Sequence, residues 1–138
     1  MNLEETNPDE LTREHRRLDD LFGRFLGAAQ AGDAGSAREA IREFDDALRH
    51  HTAVEERGIL APPAGHKLAP PESETSAERL HRELRLEHVQ VRELSAMIRH
   101  LLDEKNDLDG ARRLARNLAR RWDAHTSREE RELLSSKE

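Results

Sequence analysis

The residues of this chain best suited to chemistry are histidines and glutamates that occur twice in the same arrangement. The run HTAVEER at residues 51–57 recurs as HTSREER at 125–131, so that His51 and Glu55 correspond to His125 and Glu129. A histidine and a glutamate four residues apart lie on one face of a helix. The dipeptide Glu-His at 14–15 likewise recurs at 87–88. The two halves of the chain therefore look like copies of one another.

Together these motifs offer four imidazoles and two carboxylates to one site. Imidazole nitrogen and carboxylate oxygen suit iron, manganese or zinc, whereas magnesium and calcium prefer oxygen alone. Two carboxylates in an apolar core are costly unless they are compensated. Either a buried network of imidazolium–carboxylate pairs or two metal ions, each held by two histidines and sharing both glutamates, would compensate them. The candidate metal ligands are His15, His51, Glu55, His88, His125 and Glu129.

Four helices are needed to position these residues, and the pattern of apolar residues predicts them. Apolar side chains at alternating spacings of three and four predict helices over about 8–31, 34–60, 76–105 and 108–134. Helix-start signals occur at 6–8, 36–39 and 75–78, and a proline-rich loop is predicted at 61–74. The predicted fold is all-α, an antiparallel up-down-up-down four-helix bundle, with residues 1–138 forming a single domain.

The turns place the candidate ligands at one level of this bundle. Residues of an antiparallel hairpin lie side by side when they are equally far from the turn. His15 and His51 are centred on Asp33, in the first predicted turn, whereas His88 and His125 are centred between residues 106 and 107, in the last one. Each hairpin is therefore expected to bring its own two histidines together inside the bundle.

Composition excludes several other kinds of protein. Of the 138 residues, 35% are hydrophobic and 38% are charged, which suits helices with a narrow apolar stripe. The absence of cysteine excludes disulfides and metal–thiolate sites. With one Trp, no Tyr and an acidic net charge of -6, we expect no nucleic-acid partner. The acidic amino terminus and the lack of a long apolar run predict a cytoplasmic protein with no membrane partner.

At this point the residues match a known family. His15, the motif from His51 to Glu55, His88 and the motif from His125 to Glu129 resemble the hemerythrin-like HHE cation-binding domain over nearly the whole chain. The resemblance implies a four-helix bundle around two non-heme iron ions that are oxo- or hydroxo-bridged when oxidised. The six candidate residues would be the iron ligands, with both glutamates bridging. The implied partner is a small molecule: oxygen, peroxide or nitric oxide.

The chain departs from the family's oxygen carriers at one position. They have a further histidine one turn before the third-helix ligand, where this chain has Leu84, and His81 is two turns away, too far to share a metal. They also end on a carboxylate five residues after the last histidine. Here that residue is Glu130, which points away from the face of His125, so Glu129 is the favoured ligand. Glu130 and Glu56 are expected to be solvated or to lie just outside the ligands.

A missing ligand favours reaction with a small oxidant over reversible oxygen carriage. A catalase- or peroxidase-like activity is one form this could take, although no dedicated proton donor stands out. The alternative is a non-enzymatic iron or oxygen sensor, or a structural bundle stapled by its metal. No residue pattern predicts the oligomeric state. The remaining histidines, His50, His66, His81 and His100, are expected at the surface, and Trp122 is expected to fill the core beside the site.

Overall fold

The structure of the protein, a computed structural model, describes residues 8–61 and 73–135 and contains four helices and no strand within those ranges. Helices that are consecutive in the chain are neighbours in the bundle. Among the described residues, no helix combines the length and the apolar character of a membrane span. The prediction of an all-α fold is confirmed. The helices are α1 (Pro8–Gln30), α2 (Ala34–Arg57), α3 (Ser76–Glu104) and α4 (Leu108–Ser135).

Three of the four predicted helices agree with the structure to within one residue at each end, and α2 does not. It ends at Arg57 rather than at residue 60, because Gly58 caps it. The Gly58 N–H donates to the carbonyl oxygens of Val54 (3.0 Å) and Glu55 (3.2 Å), and the chain turns there. The predicted signal at residues 6–7 and the loop residues 62–72 lie outside the described residues.

The helix starts show which capping signals operate. The Thr75 hydroxyl accepts from the Glu78 N–H, and the Glu78 carboxylate accepts from the Thr75 N–H, both at 3.1 Å, which is the predicted capping box. At α2 the cap is Asp33, whose carboxylate accepts from the Ser36 N–H at 3.1 Å. Ser36 therefore lies in the first turn, and Gly32, at φ +77°, completes the tight reversal before it.

Side-chain contacts along the helices show that neighbouring helices run antiparallel. Between α2 and α3, Asp45 contacts Arg99 near one end of the pair, and Glu56 contacts His88 near the other. Helix α1 packs on α2 and α4, and α3 packs on the same two helices, so the bundle closes in chain order. Local hairpins with short turns favour this up-down arrangement.

Two apolar clusters fill the interior and leave a polar layer between them. The larger one occupies the half nearest the two short turns and contains the three phenylalanines and Trp122. The smaller one, near the other end, is built on Leu60, Leu84 and Leu133. Apolar packing on both sides therefore holds the polar layer, which contains the candidate site, in position.

Candidate metal centre

Six side chains from all four helices converge in the polar layer. Each helix contributes one histidine, α2 and α4 each add the glutamate one turn further along, and none of the six residues is more than 3% exposed. The structure therefore brings together every side chain that the sequence predicted as a metal ligand. They are His15, His51, Glu55, His88, His125 and Glu129.

Glu129 lies at the centre of this cluster. Its Oε1 atom is 3.0 Å from Nε2 of His15. Its Oε2 atom is 3.1 Å from Nε2 of His88 and 3.1 Å from Nε2 of His125. One carboxylate from α4 therefore contacts histidines of three helices, including its own.

Glu55 occupies the equivalent place on α2. Its Oε1 atom is 3.2 Å from Nε2 of His51 and 3.1 Å from Nε2 of His88. The ligand atoms fall into two groups, in each of which all lie within 4.8 Å of one another, and both groups contain both glutamates. The groups are His15, His51, Glu55 and Glu129, and His88, His125, Glu55 and Glu129.

The cluster has the properties that a metal site requires. Several of its buried atoms have no hydrogen-bond partner among the described residues: Nε2 of His15, both ring nitrogens of His51, both carboxylate oxygens of Glu55 and Oε1 of Glu129. Some of them lie 3.0–3.3 Å from an opposite group but are poorly aligned for hydrogen bonding. Buried polar groups are normally satisfied. Nitrogen and carboxylate donor atoms that lie within 4.8 Å of one another fit a metal cation, which would satisfy the unpartnered ones among them.

A second layer of glutamates surrounds the histidines, and we call these four residues the outer carboxylates. Each one contacts the Nδ1 atom of a histidine on the next helix of the bundle, with α4 returning to α1. Three of these contacts are hydrogen bonds, whereas Glu14 lies near Nδ1 of His51 without the alignment of one. An Nδ1–H bond orients the ring and leaves the Nε2 lone pair for a metal. The pairs are His51–Glu14 (3.3 Å), His88–Glu56 (2.8 Å), His125–Glu87 (2.8 Å) and His15–Glu130 (2.9 Å).

Sequence reasoning found only part of this outer layer. We call the six candidate ligands the inner cluster. Glu56 and Glu130 lie just outside it, which is one of the two positions that the sequence predicted for them. Glu14 and Glu87 were not identified as site residues, although the repeated Glu-His dipeptide already pointed to them. A residue next to a helical ligand faces sideways, towards the neighbouring helix, and that direction could have predicted the contacts.

Arginines hold two of the outer carboxylates. Arg92 donates to Glu56 at 2.8 Å and to the Thr52 hydroxyl at 2.9 Å. Arg128 donates to Glu87 at 2.6 Å. The partners of His88 and His125 are therefore fixed by charge-assisted hydrogen bonds, which are the stronger kind. Within the described ranges, neither Glu14 nor Glu130 forms an ion pair with an arginine.

The protonation of the cluster follows from these contacts. Burial lowers the pKa of His51, but the carboxylates of Glu14 and Glu55 outweigh it and raise that pKa to about 10. Burial also lowers the pKa of His88, but the carboxylates of Glu129 and Glu55 outweigh it and raise that pKa to about 9. The pKa of Glu129 is held well below its ordinary value because the histidine contacts outweigh burial. In the absence of a metal, His51 and His88 therefore keep their protons near neutral pH.

Leu84 and the other histidines lie outside the cluster. Leu84 is fully buried and packs with Leu60 and Leu133, so it closes the interior on the side of the α2–α3 connection. His50 and His100 are exposed, as predicted, whereas His81 is partly buried, which lowers its pKa. The predicted surface position of His66 lies outside the described residues.

Two open grooves flank the site between helices. One, of about 560 Å³, runs along α1 and α2 and is lined by residues that include Glu14 and His51. The other, of about 530 Å³, runs along α3 and α4 and is lined by Glu87, His125 and Arg128 among others. Each groove reaches one histidine and its outer carboxylate, so a small molecule could approach the site from either side of the bundle.

Fold and site together define a class: a four-helix bundle with a buried histidine–carboxylate cluster suited to metal cations. The model of the hemerythrin HHE cation binding domain matches residues 6–135, and the chain belongs to that family. Membership implies that the protein binds a metal cation, and the buried cluster offers the ligands for it. No curated protein and no solved structure matches the chain significantly.

Proposed function

We propose that this protein is a non-heme diiron protein that binds or reacts with a small oxidant: oxygen, peroxide or nitric oxide. The six residues of the inner cluster are its iron ligands. His15 and His51 would hold one iron and His88 and His125 the other, and both groups would share Glu55 and Glu129. The observation that carries this proposal is the pair of four-residue groups that share Glu55 and Glu129. Shared carboxylates are typical of dimetal sites in bundle cores.

The charge of the site supports two cations. The two inner and four outer carboxylates carry six negative charges, and Arg92 and Arg128 return two positive ones. With neutral histidines the site is left with a formal charge of -4, which two divalent cations would neutralise. A single divalent cation would leave two negative charges, which protons kept by His51 and His88 would have to balance.

The protein's own residues prepare the site for a small ligand. Three of the outer carboxylates fix the rings of His15, His88 and His125 by hydrogen bonds. The Nε2 atoms of all four histidines lie 3.0–3.2 Å from Glu55 or Glu129. When bound, two irons would supply redox chemistry and coordination positions for the oxidant. Leu84 cannot ligate, and its apolar cluster excludes water on one side. A position that a further histidine would fill therefore stays available for reaction.

Peroxide consumption tests the proposed reactivity. Metal-free protein is loaded with ferrous iron without oxygen, freed of excess iron and mixed with peroxide. We expect turnover from the loaded protein, and a loss of about tenfold or more in His88→Ala, since even outer partners of metal ligands are worth roughly 10–100-fold. His100→Ala, an exposed histidine on the same helix, is the matched control. Equal turnover with and without iron, or in His88→Ala and His100→Ala, would contradict the proposal.

Leu84 separates reaction from carriage. In Leu84→His, a histidine one turn before His88 fills the position that leucine leaves available. We expect azide to bind the oxidised loaded protein more weakly and peroxide turnover to slow, at an unchanged iron content. Iron analysis and azide titration followed by absorbance measure this. Unchanged azide affinity and turnover would show that the available position lies elsewhere.

A further inference from the structure

Trp122 is the residue with redox chemistry that the proposed ligand set does not use. It is the only tryptophan of a chain that has no tyrosine and no cysteine. The side chain is buried, at 3% exposed, in the larger apolar cluster on α4, one turn before His125. An indole is therefore the only readily oxidised aromatic group that the site can contact.

The indole touches both halves of the candidate site. Its ring lies edge-on to His15, with centroids 5.7 Å apart, and is tilted by 33° to His125, with centroids 6.0 Å apart. These separations are those of rings in contact. Because His15 and His125 belong to different four-residue groups, Trp122 is adjacent to both proposed irons through one ligand each.

The indole N–H leads from this buried contact to the surface. Nε1 of Trp122 donates to Oδ1 of Asp19 on α1 at 2.7 Å, and Asp19 is exposed. A buried indole usually finds some acceptor, and a backbone carbonyl would serve for packing alone. A carboxylate can also accept the proton. An oxidised indole is far more acidic than a neutral one, so a carboxylate at this distance lowers the cost of oxidising Trp122.

We propose that Trp122 is an electron relay between the site and the surface, with Asp19 as its proton acceptor. The inference rests on the proposed diiron function. Peroxide, with two protons from water, would take two electrons from the site and leave as two molecules of water as its O–O bond breaks. Trp122 then gives the site one of those two electrons, and the Nε1–H proton passes to the Asp19 carboxylate. The products are a site reduced by one electron, a neutral indolyl radical and a protonated Asp19. A small one-electron reductant such as ascorbate then returns an electron, and Asp19 returns the proton.

The experiment compares four iron-loaded proteins after one addition of peroxide: wild type, Asp19→Asn, Asp19→Glu and Asp20→Asn. Asp20 is an exposed neighbour on α1 and serves as the matched control. Freeze-quenched electron paramagnetic resonance measures the tryptophan radical, and peptide mass spectrometry measures oxygen addition at Trp122 without ascorbate. Trp122→Phe identifies the radical signal. Iron content and peroxide consumption are measured in the same samples and report on the proposed function.

We expect a tryptophan radical in wild type and in Asp20→Asn. In Asp19→Asn we expect the radical yield to fall by about tenfold or more, because positioned proton acceptors contribute on the order of 100-fold to such steps. Asp19→Glu, which keeps a carboxylate, should recover most of the yield. Iron-loaded wild type that consumes peroxide while Trp122 stays unoxidised would overturn the relay and leave the proposed function intact. Equal yields in Asp19→Asn and Asp20→Asn would overturn it as well. A wild type that binds no iron would defeat the proposed function and the relay with it.

Discussion

The two halves of the site share one inner pattern and differ in what surrounds it. In the half with His15 and His51, the outer carboxylates are 35–40% exposed and form no ion pair with an arginine among the described residues. In the half with His88 and His125, they are 26–28% exposed and are held by arginines. Repeated sequence therefore conserves the geometry of the inner ligands while the electrostatics of the outer layer diverge.

The divergence can be read in the repeat itself. At the repeat offset of 73 residues, Arg92 corresponds to Asp19 of the first half. At the offset of 74 residues, Arg128 corresponds to Val54. Neither arginine therefore has an arginine counterpart in the first half. A carboxylate that also accepts hydrogen bonds from a guanidinium is a weaker acceptor for an imidazole N–H than a carboxylate with no arginine partner. It therefore makes the imidazole a weaker metal ligand. On the proposed assignment, a metal bound by His88 and His125 should therefore be held less tightly than one bound by His15 and His51.

The largest expected effect comes from removing what the halves share. Because Glu129 belongs to both groups, Glu129→Gln should lose both irons. Glu130→Gln, the adjacent residue on α4, removes only the outer partner of His15 and should weaken one iron by roughly 10–100-fold. Iron per chain after loading and desalting measures both. Retention of two irons by Glu129→Gln would show that the carboxylate does not bridge.

A smaller effect is the pH dependence of stability, which distinguishes stabilisation by protons on the histidines from stabilisation by metal. His51 and His88 have folded pKa values of about 10 and about 9, above the ordinary value of 6.5. Their contribution to the stability of metal-free protein is complete below about pH 6.5 and is lost as pH rises through 9 and 10. Metal replaces those protons, so the gain in Tm on loading should be larger at pH 9 than at pH 6. A gain that is equal at both pH values would contradict the buried proton network.

The smallest effect tests the arginines directly. In Arg128→Met, Glu87 loses its arginine and becomes a stronger acceptor for the N–H of His125. The affinity for the iron proposed at His88 and His125 should therefore rise by about threefold to tenfold, which is less than the effect of losing an outer carboxylate. Arg121→Met is the control, since Arg121 contacts Asn117 and Gln90 rather than the outer carboxylates. Competition with a chelator measures the two affinities. An unchanged ratio between them would remove the arginines from the explanation.

The sequence predicted the bundle and the inner cluster because both follow from periodicity. Alternating spacings locate the helices, and equal distances from the turns bring His15 to His51 and His88 to His125. The end of α2 was missed because a glycine cap at residue 58 stops a helix whose apolar pattern continues to Leu60. The outer carboxylates could have been predicted from their places next to the ligands. The arginines that hold two of them, such as Arg92 with Glu56, depend on contacts between helices that spacing along one helix does not encode. The same holds for the bond from Trp122 to Asp19.

Stepwise loading with iron tests the central claim most directly. Metal-free protein is titrated with ferrous iron in the absence of oxygen, and the bound iron is followed by Mössbauer spectroscopy. The proposed function predicts saturation at two irons per chain in two distinguishable environments, with the His15–His51 environment filling first. Saturation at one iron per chain, or no bound iron at all, would contradict a site in which two glutamates are shared between two metals.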